Sequence, residues 1–265
     1  MTDFQIEHLS VRYGTGSRAH LAVDDVSLRV PSGRTLGLVG ESGSGKSSVA
    51  AAAVGLVRPA GGAIRLDGVD VSARGAAARA ARRRIQLVFQ DPFSALDPRM
   101  PVGSSIAEAT RATGRRFTRA EKTERVAELL RRVHIDPSRA GELPGAFSGG
   151  QRQRITIARA LAGEPAVLIA DEITSALDVS VQGVILNLLR ELQADLGLTV
   201  LFISHNLAVV RYVSHELCVM RNGRVVEAGE TEAVLERPAD PYTRELLAAV
   251  PVLGERLDLS TSSRE

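Results

Sequence analysis

The octapeptide Gly40-Glu41-Ser42-Gly43-Ser44-Gly45-Lys46-Ser47 has the residue types and spacing that cradle a phosphate chain. Its glycines let the backbone curl, so that successive N–H groups and the positive end of the following helix face phosphate oxygens. Lys46 is placed to reach the β- and γ-phosphates, and the Ser47 hydroxyl to coordinate Mg²⁺. Of 33 basic residues only Lys46 and Lys122 are lysines, so one of the two stands where a compact ammonium is required. A nucleoside triphosphate is the expected ligand. Asp171 and Glu172 form a second chemical group. Asp171 can hold Mg²⁺, directly or through water, and Glu172 can polarise the water that attacks the γ-phosphate. His205 ends another apolar run, and Phe147-Ser148-Gly149-Gly150-Gln151 opens a helical stretch. That opening is either a second anion site at a helix N-terminus or only an N-cap.

Elements of a definite kind must position these groups. The phosphate loop follows Leu36-Gly37-Leu38-Val39 and leads into Ser48-Val49-Ala50-Ala51-Ala52-Ala53-Val54, which reads as strand, loop and helix. Ala166-Val167-Leu168-Ile169-Ala170 and Thr199-Val200-Leu201-Phe202-Ile203 read as buried strands that deliver Asp171-Glu172 and Ser204-His205-Asn206 at their C-terminal ends. In a doubly wound sheet that edge binds ligands. Residues 4 to 12 and Val23 to Val30 alternate apolar and polar, and Ala63 to Leu66 with Asp67 to Asp70 reads as a hairpin, so an antiparallel sheet is expected beside the nucleotide site. Tyr13, before a glycine turn, is either one more half-exposed aromatic or a ring that stacks on a purine. The arginine-rich residues 76 to 84 read as a solvated helix face leading into the strand Ile85 to Phe89, which ends at Gln90 and a proline break. From Val102 to Arg132 the pattern is helical, with a capping box at Thr118-Arg119-Ala120-Glu121 and an apolar stripe at Val126, Leu129, Leu130 and Val133.

Composition fits a soluble α/β domain. The 265 residues can bury a proper core, 44% are hydrophobic and 24% charged, and with aromatics at 3% the core must be mostly Leu, Val, Ile and Ala. A net charge of +2 gives no general indication of nucleic-acid binding. The single Cys218, in an apolar run, excludes an internal disulfide framework and reads as a buried structural thiol. No apolar run approaches the ~20 residues of a spanning helix, and residues 1–4 carry no signal pattern, so a cytosolic chain that meets membrane only through partners is expected.

Taken in order, the phosphate loop, Gln90, Ser148-Gly149-Gly150-Gln151, Asp171-Glu172, Ser175-Ala176-Leu177-Asp178 and His205 resemble the nucleotide-binding subunit of ABC transporters, over residues 3 to 250. The resemblance implies a P-loop NTPase core of RecA type with a mostly parallel sheet, an antiparallel β subdomain and an inserted helical subdomain at about 92–162, within a nucleotide-binding domain of 1–250. It implies ATP with Mg²⁺, and two such domains paired head to tail. The phosphate-loop residues Gly40 to Ser48 would bind one nucleotide, while Ser148, Gly149, Gly150 and Gln151 would serve the partner's. Tyr13 would stack on adenine, Gln90 would sense Mg²⁺ and the attacking water, Asp178 would contact the opposing subunit, and His205 would hold the γ-phosphate, with Glu172 as general base.

A narrower likeness rests on Gln90-Asp91-Pro92-Phe93-Ser94-Ala95-Leu96-Asp97-Pro98-Arg99-Met100, on Phe147 to Ile155, on Thr174 to Gln182 and on Asp240-Pro241-Tyr242-Thr243-Arg244-Glu245-Leu246-Leu247. These resemble the oligopeptide, dipeptide and nickel importers, with Asp240 where that subfamily has histidine, within a C-terminal extension at 236–265 that ends in a polar tail. The implied partners are two permeases, a second ATPase, as another copy or a different chain, and an external solute-binding protein, at the cytoplasmic face of a bacterial membrane. No nucleic-acid partner is implied. Ile173 replaces the family's usual proline, which would alter the turn toward Ser175 and leaves room for a subunit that needs its partners to hydrolyse well. The competing reading is a soluble ATPase of this type in DNA repair or translation. Its usual marks, a long inserted coiled coil or a second fused copy, are not seen in these residues.

Overall fold

A computed structural model describes residues 2–14, 16, 19–91 and 95–248. Pro92, Phe93 and Ser94 of the importer-like segment, and the polar tail, lie outside them. The strands are β1 (Phe4–Tyr13), β2 (His20–Val30), β3 (Thr35–Val39), β4 (Gly61–Leu66), β5 (Val69–Asp70), β6 (Ile85–Val88), β7 (Val167–Asp171), β8 (Thr199–Ser204), β9 (Glu216–Arg221) and β10 (Arg224–Glu230). The helices are α1 (Lys46–Ala53), α2 (Ala76–Arg83), α3 (Val102–Ala109), α4 (Arg119–Arg132), α5 (Gly149–Leu161), α6 (Val179–Leu196), α7 (Leu207–Val213), α8 (Thr231–Glu236) and α9 (Pro241–Ala248).

The near-continuous apolar runs become the middle of a sheet buried on both faces, of order β10-β9-β3-β8-β7-β6. β3 pairs in parallel with β8 and β9, β7 with β8, and β6 with β7, while β10 closes one edge antiparallel to β9. Alternate residues of each strand enter different cores. Leu36, Leu38, Val167, Ile169, Leu201 and Ile203 face the antiparallel sheet and α1. Val39, Leu168, Ala170, Val200 and Phe202 face the helices. The second sheet, of order β2-β1-β4-β5, is antiparallel throughout its pairings. Its alternating pattern follows from having one packed face.

Helix boundaries follow local chemistry. Thr118 Oγ1 accepts the Glu121 N–H at 3.2 Å and Glu121 Oε2 accepts the Thr118 N–H at 2.6 Å, so α4 opens with the expected capping box. Val126, Leu129, Leu130 and Val133 are buried. The stretch expected to be helical from 102 to 132 is two helices, because Gly114, at φ 75°, takes the left-handed conformation that ends a helix before Thr118 starts the next. Among the described residues no helix is long and apolar enough to cross a membrane. Of the arginine-rich stretch, Arg79 and Arg83 lie exposed, Arg82 donates to the Val71 carbonyl, and Arg84, just past the helix, pairs with Asp67 at 2.8 Å.

Candidate functional site

Four parallel strands deliver their C-terminal ends to one edge: β3 the phosphate loop, β7 Asp171 and Glu172, β8 His205, and β6 Gln90. The loop is held by its glycines at two points where no side chain fits. A Cβ on Gly40, at φ 155°, would lie 2.1 Å from the Met220 carbonyl oxygen, and one on Gly45, at φ 105°, would lie 2.4 Å from that of Ala22. A turn from the far edge completes the support: Gly223 donates its N–H to the Ser44 carbonyl at 3.0 Å and accepts that of Asp24 at 2.8 Å. Gly45 then opens α1, whose first N–H groups lie at the loop.

Lys46 is 4% exposed and folds back over the loop. Its Nζ donates to the carbonyls of Gly40 and Glu41, each at 2.8 Å, and to Ser44 Oγ at 3.3 Å. Burial lowers its pKa, and the charges of Glu172, Asp171 and Glu41 oppose that shift. Ser47 Oγ donates to Asp171 Oδ1 at 3.3 Å, and the Tyr13 hydroxyl donates to Ser48 Oγ at 3.3 Å. Tyr13 is 41% exposed, so its ring has an open face beside the loop. Glu172 Oε1 lies 3.2 Å from His205 Nδ1. Gln90 Nε2 donates to Ser175 Oγ at 3.1 Å, and that hydroxyl donates to the Glu172 carbonyl at 2.9 Å. Tyr13, Lys46, Ser47, Ser48, Gln90, Asp171, Glu172 and His205 are therefore linked around one edge.

Ser148, Gly149, Gly150, Gln151 and Asp178 form a second group. Ser148 Oγ accepts the Gln151 N–H at 3.3 Å and Gln151 Oε1 accepts the Ser148 N–H at 3.0 Å, a capping box that opens α5. Asp178 caps α6 through the Val181 N–H at 2.9 Å and the Ser180 hydroxyl at 2.6 Å. The two starts abut, since a Cβ on Gly150 would meet Val181 Cγ1 at 2.4 Å. Ser148 and Asp178 stay exposed at these starts.

Two departures from the resemblance have physical accounts. Ile173 is 1% exposed in the helix-side core, and the turn it occupies is closed by both the N–H and the hydroxyl of Ser175 on the Glu172 carbonyl. Glu172, at φ 48°, takes the left-handed conformation at the head of that turn. Asp240 caps α9, its Oδ1 accepting the Tyr242 N–H at 2.8 Å with Pro241 as first helical residue. Sequence reading missed Tyr242 as a loop residue. Its hydroxyl accepts the Glu41 N–H at 3.0 Å, a contact that no local pattern announces.

Asp171 and Ser47 present one carboxylate and one hydroxyl, and among the described residues no cluster of three or more acidic, His or Cys side chains could cage a metal. That donor set fits Mg²⁺, which is held by one or two carboxylates together with substrate phosphates. Burial pushes the Asp171 carboxyl above its usual range; the Ser47 hydrogen bond and Lys46 oppose this, and the Glu172 charge adds to it. A carboxyl whose folded pKa exceeds its unfolded value stabilises the fold only while protonated. That contribution is complete below the unfolded pKa and is lost as pH rises through the folded one. Asp171→Asn is therefore expected to raise the melting temperature of nucleotide-free protein at neutral pH, by about 2–4 °C for each kcal/mol relieved. The gain fades as the pH falls below the range in which Asp171 ionises. Equal melting temperatures of the two proteins at neutral pH would contradict this account.

The Cys218 thiol, buried in β9, is pushed up to about 12 by desolvation, in keeping with a structural thiol.

Comparisons with known proteins converge. Residues 23–175 match the family model described as ABC transporter, and residues 226–265 that described as oligopeptide/dipeptide transporter, C-terminal region. The chain is 50% identical over 251 residues to a Brucella abortus protein named for peptide import and ATP binding, covering 94% of this chain and 74% of that protein. It is 53% identical over 233 residues to the glutathione import ATP-binding protein GsiA of Escherichia coli, and 52% identical over 231 residues to the oligopeptide transport ATP-binding protein OppD of Mycobacterium tuberculosis. Each of these matches covers 87% of this chain and 37% of the relative. Among solved structures, the dimeric post-hydrolysis state of an ATP-binding cassette bound to ADP and phosphate superposes with TM-score 0.76 at 27% identity, over 86% of this chain and 98% of that one. The cbiO1 protein of Clostridium perfringens, part of the ABC transporter complex cbiONQ, gives TM-score 0.77 at 28% identity, over 88% of this chain and 90% of that one.

Proposed function

The chain belongs to the ABC transporter family as an ATP-binding ATPase, and from that premise we propose that it powers import of peptides or a related small solute through two partner permeases. The observation that carries the catalytic part is the single edge on which Lys46, Ser47, Asp171, Glu172 and His205 converge. The match of residues 226–265 to a peptide-transporter C-terminal region supports the transport part over a permease-free role in repair or translation.

In this reading the loop N–H groups and Lys46 bind the β- and γ-phosphates, the ammonium reaching phosphate oxygens while the Gly40 and Glu41 carbonyls hold it over the loop. Glu172 takes the proton of the attacking water, and His205, beside it, donates to the γ-phosphate. Ser47 and Asp171, with Gln90, would hold Mg²⁺, which would supply charge neutralisation to the phosphates. Tyr13 stacks on the adenine. Ser148, Gly149, Gly150 and Gln151, with the N-terminus of α5 behind them, meet the γ-phosphate held by a second ATPase subunit, and Asp178 meets that subunit's facing loop. The residues 1–250 act as one nucleotide-binding domain, with a helical part near 92–162 and a C-terminal extension from 236. The assembly works at the cytoplasmic face of a bacterial membrane and receives solute from an external binding protein.

The test is mass spectrometry of what co-purifies with the tagged chain from gently solubilised membranes. Two polytopic proteins, an ATPase partner and a solute-binding protein are expected. Recovery only from the soluble fraction, with ribosomes or DNA, would overturn the transport reading and leave the ATPase intact.

A further inference from the structure

Helix α9 is far in sequence from the phosphate loop, yet it ends one of the loop's hydrogen bonds. Tyr242 is 1% exposed and its hydroxyl oxygen accepts the Glu41 N–H at 3.0 Å. The Gly40 carbonyl, the other pole of that same peptide group, accepts Lys46 Nζ at 2.8 Å. One amide is thus held at both ends, by an ammonium on one side and a phenol oxygen on the other. Because the peptide is planar, a rotation that moves its N–H also moves its carbonyl. Hydrogen bonds in series through one amide polarise each other. Gly40 has no Cβ and lies at φ 155°, so its own backbone offers little resistance to such a rotation.

The tyrosine is itself anchored from β9 and β10. Arg221, at the end of β9, lies over its ring at 4.5 Å from the centroid. Asp240 caps its helix. The N–H groups of Ala239 and Asp240 go to the Glu227 carboxylate on β10, at 2.8 and 3.1 Å. The phosphate loop is therefore braced through a side chain whose position is fixed outside the nucleotide core.

We infer that Tyr242 is a positioning residue for Lys46: by pinning the 40–41 peptide, the C-terminal arm sets where the ammonium rests and how well the loop receives the β- and γ-phosphates. This rests on the nucleotide-binding reading of the loop. In the free protein the tyrosine keeps the binding-competent loop conformer dominant; without it, a competing rotated peptide lowers apparent affinity by the fraction lost.

Tyr242→Phe keeps the ring and the Arg221 contact and removes the acceptor alone. Titrations of the purified full chain with ATP and with AMP are compared, together with ATPase kinetics and nucleotide-free melting. The expected result is a rise of roughly 5- to 50-fold in the ATP dissociation constant and KM. AMP affinity, which does not draw on Lys46, stays within about twofold, kcat stays within about twofold, and the melting temperature changes little. Unchanged ATP affinity would overturn the inference, and so would equal losses for ATP and AMP, which mark a merely structural role. Lys46→Ala runs beside it. If that variant still binds ATP as tightly as the parent, the loop reading fails and carries the inference with it. If it loses ATP while Tyr242→Phe binds normally, the tyrosine inference alone fails.

Discussion

Glu172→Gln is expected to lower ATP turnover by roughly 10²–10⁴-fold while leaving ATP binding intact. The substitution keeps the size of a side chain that is 18% exposed and keeps an oxygen that His205 can meet, but it removes the basicity needed to take a proton from water. Nothing in the phosphate loop's own hydrogen bonds involves the Glu172 side chain, so the affinity set by Lys46 and the loop N–H groups should survive. Binding without turnover should also accumulate the closed, ATP-bound pair of subunits, visible as a nucleotide-dependent dimer by light scattering. Phosphate release at saturating ATP checks the rate. Rapid hydrolysis by this variant would remove Glu172 from its proposed role as base.

Lys46→Ala should instead weaken ATP binding by roughly 10²-fold or more, since charge-assisted hydrogen bonds to phosphate are each worth about 1.5–3 kcal/mol. The measurement is the rise of melting temperature with added ATP. Ligand at a hundred times its dissociation constant stabilises the parent by about 2.7 kcal/mol, and the variant should show almost none of this at the same concentration. An unchanged ATP-dependent shift would count against the loop. The nucleotide-free variant also leaves the Gly40 and Glu41 carbonyls without their ammonium donor, so a modest loss of basal stability is expected with it.

These two effects concern residues that the sequence itself singles out, and the reason is local. Strands buried on both faces must be apolar throughout, so the polar residues at the ends of Leu36–Val39, Val167–Ala170 and Thr199–Ile203 stand out against them. Glycine spacing and capping boxes are short-range codes of the same kind, and both Thr118 with Glu121 and Ser148 with Gln151 form as their spacing requires. What periodicity does not carry is which distant segments meet. The strand order, with β9 beside β3, comes from pairing across long stretches of chain. The Tyr242 contact depends on α9 crossing back over the loop, and the exchange of histidine for Asp240 looks arbitrary until its carboxylate is seen capping that helix. The burial of Ile173 is likewise set by helices that pack over the turn from elsewhere in the chain.

The scarcity of lysine, joined to the burial of Lys46, makes the chain its own reporter. Amine-directed acylating reagents have two side chains to choose from, Lys46 and a half-buried Lys122. Lys46 is shielded by the loop it folds against, although its lowered pKa provides more of the reactive neutral amine once a reagent reaches it. Acylation at position 46 therefore measures how often the loop opens, with Lys122 as an internal standard in the same peptide digest. Coupling chemistries that attach proteins to surfaces through amines would favour Lys122 and leave the loop unmodified.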